Sequence, residues 1–246
     1  MNTTYSNSSD EYYQTEIFNK EDEPDKTKFN AFISQVGIEN NSLNYKQFAT
    51  EGTHRFVSGK YIIGEELNFP GTTIPNTTST NIQHNYFLLK VHSTKYFKLG
   101  KKFTLGTTAE AVFSNKSLFK NYRSTLLAAP GFYPTSHSKS LFIGNFHSNN
   151  YLAGGLKTLI HFTPSLHLRI EGFGFVPIKE EILKTDNSAF QNDKAFENYY
   201  LQGMAAMVYQ TGVGPVSFSV NYYEKENTKL YLTLNFGYIL FNKRGL

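Results

Sequence analysis

The chain of 246 residues contains no cysteine and no tryptophan, and only 18% of it is charged. Without cysteine there is no disulfide scaffold, no thiolate metal site and no thiol nucleophile, although this does not fix the compartment. No run of about eighteen apolar residues occurs, which excludes a transmembrane helix on length. The opening "MNTTYSNSSDEYYQTE" lacks a basic start followed by an apolar core, so no signal peptide is expected there. The net charge of +4 is modest, and the densest charged run, "NKEDEPDKTK" at 19–28, is mixed in sign, so nothing points to nucleic acid. Enzyme signatures are missing too. There is no Gly-x-Ser-x-Gly elbow, no Asp-Gly dipeptide, no His-Glu-x-x-His and no phosphate-binding loop.

What the chain does have is aromatic residues and alternation. Phe (22) and Tyr (17) make 16% of the sequence aromatic, which suits pleated surfaces better than helices. In the closing stretch, Val216, Phe218, Val220 and Tyr222 share one face, and after a charged turn so do Leu230, Leu232, Leu234, Phe236, Tyr238 and Leu240. The same period places strands near 29–39, 53–67, 85–97, 102–114, 150–162, 165–176, 198–210, 214–223 and 229–241. The expected fold is all-β, with about nine strands and no helix longer than a turn or two. Residues 1–28 are polar and without period, which reads as an exposed loop or disordered lead-in before a β-domain over 29–246.

The links alternate in length. "KLGK", "TPS" and "TGVGP" suit tight turns, whereas 68–84, 114–149 and 177–197 are long and polar. Strands of a dozen residues, short turns at one end and long loops at the other describe an antiparallel transmembrane β-barrel. Aromatics gather near strand ends, at Tyr96, Phe97, Phe113, Tyr199, Tyr200, Tyr222, Tyr223, Tyr238 and Phe241, as girdles at the two headgroup levels would. With the apolar face outward, Lys90, His92, Glu110, Lys157, Arg169 and Glu171 point inward on four consecutive strands. In a dry core each of these ions would cost several kcal/mol, whereas a hydrated lumen accepts them, so the apolar face is expected to meet lipid.

The final pair "GPVSFSVNY" and "LYLTLNFGYILF" resembles the end of the BamA-like outer-membrane barrel superfamily. The segments "NSLNYKQFATEGTHRFVSGKYIIGEE", "YFKLGKKFTLGTTAEAVFSN", "LLAAPGFYPT" and "FNKRGL" are similar to one branch, the C-terminal barrel of patatin-like phospholipases of Bacteroidetes type. The resemblance covers most of 29–246 and implies the C-terminal half of a sixteen-stranded barrel that anchors or exports a lipid hydrolase domain absent from this chain. It implies an integral outer-membrane location. The implied partners are outer-membrane lipid, the assembly machinery, the N-terminal half of the barrel and the patatin domain. Two alternatives are a BamA-like assembly or translocation barrel and a small stand-alone porin-like barrel. Counting back from the last strand makes 165–176 the family's thirteenth, where "LRIEGFGF" places Glu171 at the position of its conserved-type acid. In the superfamily that acid pairs with an arginine from the sixth loop, here 114–149, whose sole arginine is Arg123; Lys157 is the competing partner for Glu171.

No chemistry of the chain's own is expected, nor any cofactor. His161 and His167 bracket a tight turn but lack a third ligand of suitable spacing. Ser136, His137 and Ser138, and Ser148 beside His147, lie in a loop without a partnered acid. Glu180, Glu181, Asp186 and Asp193 read as wet loop acids rather than a calcium site.

Overall fold

The computed structural model describes every residue except 16, 74–77, 185–186, 226–227 and 239–246. The strands are β1 (Asn2–Tyr12), β2 (Asp25–Asn41), β3 (Thr53–Phe69), β4 (Thr80–Lys98), β5 (Phe103–Ser114), β6 (Tyr151–His161), β7 (Leu166–Pro177), β8 (Glu181–Leu183), β9 (Ala189–Gln191), β10 (Tyr200–Thr211), β11 (Gly214–Tyr223) and β12 (Leu230–Phe236). All but β8 and β9 form one 10-stranded antiparallel sheet in chain order, and β8 and β9 make a separate hairpin. A six-residue helix, α1 (Tyr122–Leu127), interrupts the long link after β5, its first turn capped by the Asn121 side chain, which accepts the Ser124 N–H at 2.9 Å.

One correction to the sequence reading follows. The sheet has ten strands rather than about nine, because the first 28 residues are not a structureless lead-in: Asn2–Tyr12 pair with β2 from Gln35 to Asp25. This strand is polar on both faces, so its side chains show no period, and its backbone ladder with β2 is what defines it. The last strand, expected over 229–241, is described as far as Phe236, and Leu240 and Phe241 lie outside the described residues.

The ends of the sheet differ. At one rim the links are short, at 99–102, 162–165 and 212–213, with Gly100 in the left-handed region (φ 105°). At the other rim run 13–24, 70–79, 115–150, 178–199 and 224–229. The link 42–52 at the short-loop rim is the exception in length. It folds back against the sheet, and Gly52 (φ 97°) permits the return, because a Cβ there would stand 2.1 Å from the Ser42 carbonyl oxygen.

On β5 to β7 and β10 to β12 the exposed face is largely apolar and the buried face carries polar and charged residues, whereas β1 is polar on both faces and β2 buries Phe29, Ala31 and Ile33. Along β11 the small polar residues Ser217, Ser219 and Asn221 are buried while Phe218 and Tyr222 are exposed. The same holds along β7, where Arg169 is 2% exposed and Ile170 52%. The polar face is covered by the two inward-folded segments, 42–52 and 115–150. Phe132, Ile143 and Phe146 of the long segment pack on Val112, Tyr151, Phe173, Phe175, Tyr200 and Tyr223 of the strands. Phe119 packs on Phe29, Ala31, Ile33, Ile62 and Tyr86.

The sheet curls enough for one segment to reach both of its edges. Asn121 donates to the Tyr12 hydroxyl on β1 at 2.8 Å, and His137 pairs with Tyr223 on β11 at 2.9 Å and lies 5.1 Å, ring to ring, from Tyr231 on β12. Among the described residues β1 and β12 do not pair with each other, so the sheet is open there.

Candidate functional site

The concave face holds three polar centres, each assembled by the period of two that brings alternate residues together on one side of the sheet. The first surrounds Glu110 on β5. It accepts from Lys90 Nζ at 2.8 Å, from His92 Nδ1 at 3.0 Å and from the Tyr151 hydroxyl at 2.6 Å. His92 then reaches Thr94 at 3.1 Å, and Thr94 reaches Thr108 at 2.7 Å. The carboxylate therefore has an ammonium and an imidazole on β4 and a phenol on β6 as hydrogen-bond partners, as a buried acid requires.

The second centre is Arg169 and Glu171 on β7. Two residues apart, they lie on the same face, and Arg169 holds Glu171 Oε1 through Nε at 2.8 Å and Nη2 at 2.7 Å. Arg169 also donates to the Ala49 carbonyl at 2.8 Å and to the Tyr96 hydroxyl at 3.2 Å, and its guanidinium stands 5.6 Å from the Phe48 ring centre. It thus ties the inward-folded 42–52 segment to the wall. Gln210 on β10 adds a weaker tie to Phe48 O at 3.5 Å.

Glu171 takes its ion pair from Arg169, not from Arg123 or Lys157. Lys157 lies directly across from Glu171 on β6, but its ammonium turns over the Phe173 ring at 5.5 Å. Arg123 sits on α1, which packs against β8, β9 and β1 at the long-loop rim, and among the described residues no ion pair joins it to Glu171. Five of the six residues expected to form a lumen charge network, Glu171, Arg169, Lys157, Glu110 and Lys90, thus share the concave face, in two separate centres plus a lysine over an aromatic ring.

The third centre, Glu66 and His84, was not singled out from the sequence. Both side chains are fully buried, with His84 Nε2 2.9 Å from Glu66 Oε2. His84 Nδ1 is 2.9 Å from Ser117 Oγ, and the Lys120 backbone N–H donates to Glu66 Oε1 at 2.9 Å. Parity carried the signal. On β4 the even-numbered residues face inward, so extending that strand back from residue 85 puts His84 in phase with Lys90 and His92.

Beside this centre, Lys116 is buried between the Tyr86 and Phe119 rings and donates to the Ala128 carbonyl at 2.8 Å. Burial pushes its ammonium down to about 7, against the opposing pull of Glu66 and Glu181. Glu181 on β8 is raised by burial, while the Asn149 N–H and the Ser148 hydroxyl favour its charged form.

The remaining loop groups have local roles. His161 and His167 lie 5.6 Å apart, ring to ring, and His161 pairs with Thr104. His147 bonds the Ala129 carbonyl and the Tyr133 hydroxyl. Ser138 closes a turn with Thr135, and Ser148 bonds the Asn150 carbonyl. Glu180 accepts from Tyr200 and Asn198, Asp193 is exposed, and Asp186 lies outside the described residues. Among the described residues no three His, Asp or Glu side chains group closely enough to share a metal ion.

The convex face carries two aromatic rows. Phe69, Phe113, Tyr199 and Tyr222 stand exposed toward the long-loop rim, and Phe97, Phe103, Phe162, Tyr209 and Phe236 toward the short-loop rim. Between them lie Leu89, Val91, Leu152, Leu156, Ile170, Leu201, Met207 and Phe218, also exposed. Tyr96, Tyr200 and Tyr223 instead turn inward, Tyr96 to Arg169 and the other two into the packed interior. Comparison with protein-family models, with curated proteins and with solved structures found no match.

Proposed function

We propose that this chain forms part of the wall of an outer-membrane β-barrel, embedded in lipid through its convex face, and that the wall anchors or exports a patatin-like lipid hydrolase domain of a longer protein. The observation that carries the first part is the apolar exposed face and polar buried face of β5 to β7 and β10 to β12. In water, each large apolar side chain left on the convex face would forgo about 1.5–3 kcal/mol of burial. In hydrocarbon that cost vanishes, and the aromatic rows fall where headgroups would lie. Lateral pairing on both sides satisfies the backbone of the eight inner strands, which lipid cannot, and leaves one edge each of β1 and β12 unpaired among the described residues. The concave face keeps the ions together with uncapped polar atoms such as those of Gln202, Ser217 and Asn221, which lumen water would serve.

The patatin-like part rests on the resemblance of the quoted segments. A second reading has its own observation: one segment reaches both Tyr12 on β1 and Tyr231 on β12, as it would in a small self-contained barrel whose edges approach each other. Extraction tests the membrane assignment. The chain should stay in the membrane pellet through 6 M urea and alkaline carbonate, and release by either would refute it. A hydrolase elbow encoded in frame upstream supports the anchor reading, whereas several periplasmic repeat domains there would favour a BamA-like assembly factor.

A further inference from the structure

We propose that Ser117, His84 and Glu66 form an acyl-transfer site at the long-loop rim, with Ser117 as nucleophile, His84 as general base and Glu66 as the residue that positions the imidazole. Three strictly local observations carry this. Glu66 and His84 have no exposed side-chain surface, yet Ser117, the third member, is exposed. The order of contacts is also right. In the tautomer that carries its proton on Nε2, His84 donates to Glu66 Oε2 at 2.9 Å, which leaves the Nδ1 lone pair to take the proton of the Ser117 hydroxyl 2.9 Å away. The imidazole is held in that orientation by the Phe119 ring at 4.7 Å and the Phe29 ring at 6.0 Å, and the carboxylate by the Lys120 N–H. Finally, the backbone N–H groups of Ser117 and Leu118 meet no acceptor among the described residues, and the first lies on the nucleophile itself, where oxyanion donors are commonly found.

The reaction this arrangement performs is hydrolysis of a carboxylic ester. Ser117 Oγ attacks the carbonyl carbon as its proton passes to His84 Nδ1. The imidazolium formed is stabilised by Glu66, and the carbonyl oxygen becomes an oxyanion beside the free N–H groups. Collapse of this intermediate breaks the ester C–O bond, and His84 returns the proton to the departing alkoxide, which leaves as the alcohol. Water then attacks the acyl-serine with the same proton relay, releasing the acid and restoring Ser117.

The position of the site selects the acyl group. Ser114 Oγ donates to the Phe87 carbonyl at 2.8 Å, and the Phe87 N–H donates to Asn115 Oδ1 at 2.9 Å, so the segment leading to Ser117 is stitched to an edge of the convex face. Phe87 (54% exposed) and Phe113 (41% exposed) stand there. Ser117 lies two residues beyond Asn115, within about 7 Å of chain, so an aliphatic acyl chain resting on those rings is the substrate class assigned to this rim. This choice of a long acyl chain rests on the reading of the convex face as lipid-facing; the ester chemistry does not.

The test uses the full chain folded in detergent, a fluorophosphonate probe with peptide mapping, and p-nitrophenyl acetate and decanoate as substrates. The expected result is labelling of Ser117 and hydrolysis that falls at least 100-fold in Ser117→Ala, with Ser140→Ala unchanged. Ser117→Ala removes one exposed hydroxyl, and trypsin resistance equal to the parent chain confirms that it folds. With active sites counted by fluorophosphonate titration, Glu66→Gln should lower kcat per labelled site with KM unchanged, whereas loss of fold alone would lower the number of labelled sites and leave both constants per site unaltered. Absence of labelling, labelling of another serine only, or full hydrolysis by Ser117→Ala overturns the site. Equal rates on acetate and decanoate overturn the acyl-chain assignment. A chain that urea extracts from membranes yet still hydrolyses esters through Ser117 refutes the membrane reading and leaves this one standing.

Discussion

Replacing Glu171 by Gln strips the counter-ion from an arginine that has nowhere to go. Arg169 and Glu171 side chains are 3% and 2% exposed, so the cation left behind cannot turn to solvent. Removing one partner of a buried pair costs about 3–5 kcal/mol, and because Gln still accepts one hydrogen bond, a loss of about 3 kcal/mol is expected. That corresponds to roughly a 100-fold shift in the folding equilibrium. The loss should spread to 42–52, because Arg169 also holds the Ala49 carbonyl and stacks on Phe48. Urea titration of the lipid-folded chain, read from the mobility of unboiled samples, gives the stability. Limited trypsin digestion gives the segment: cleavage after the exposed Lys46 should accelerate in the variant. The double variant Arg169→Met/Glu171→Met, which removes the stranded charge, should recover more than half of the loss. A change below about 0.5 kcal/mol, with cleavage at Lys46 unaltered, would refute the idea that this pair clamps the segment.

Two further outcomes are expected. Lys116 is held at about 7 in the folded chain against an ordinary 10.5, so between those values the unfolded state binds the extra proton and stability rises with pH, by up to about 1.4 kcal/mol per unit. Lys116→Met should flatten that rise and be the more stable protein at pH 7, and an unchanged pH slope in urea titrations would contradict it. Gly155→Ala should cost about 1–3 kcal/mol in the same assay, since a Cβ there would stand 2.1 Å from the Gly172 carbonyl oxygen, whereas Gly174→Ala, with 3.9 Å to Leu201, should be near neutral.

Strands β2 to β7 and β10 to β12 were legible in the sequence because each shows a period of two over many residues, and parity alone assigned Lys90, Glu110, Lys157, Arg169 and Glu171 to one face. β1 was not, since "NTTYSNSSDEY" has no apolar face to betray it and exists as a strand through backbone pairing with β2. The Arg169–Glu171 pair is compatible with the sequence, since two residues of separation on a strand places both groups on one side, but the period of two does not say whether Glu171 pairs along its strand or with Lys157 across it. Ser117 was beyond reach because its contact with His84 depends on how the 115–150 segment lies over the rim, which no periodicity encodes. The inward fold of 42–52 likewise depends on Arg169 and Gln210, distant in the chain.

The absence of cysteine makes the central claim directly measurable, because a single introduced thiol is the only one in the chain. Cysteines placed one at a time from Val216 to Tyr222 and labelled with a nitroxide in lipid vesicles report collisions with oxygen, which concentrates in hydrocarbon, and with a water-soluble nickel complex. The account predicts a strict period of two, with high oxygen and low nickel access at 216, 218, 220 and 222 and low oxygen access at 217, 219 and 221. Nickel access at 218 and 220, or no alternation along the strand, would contradict it.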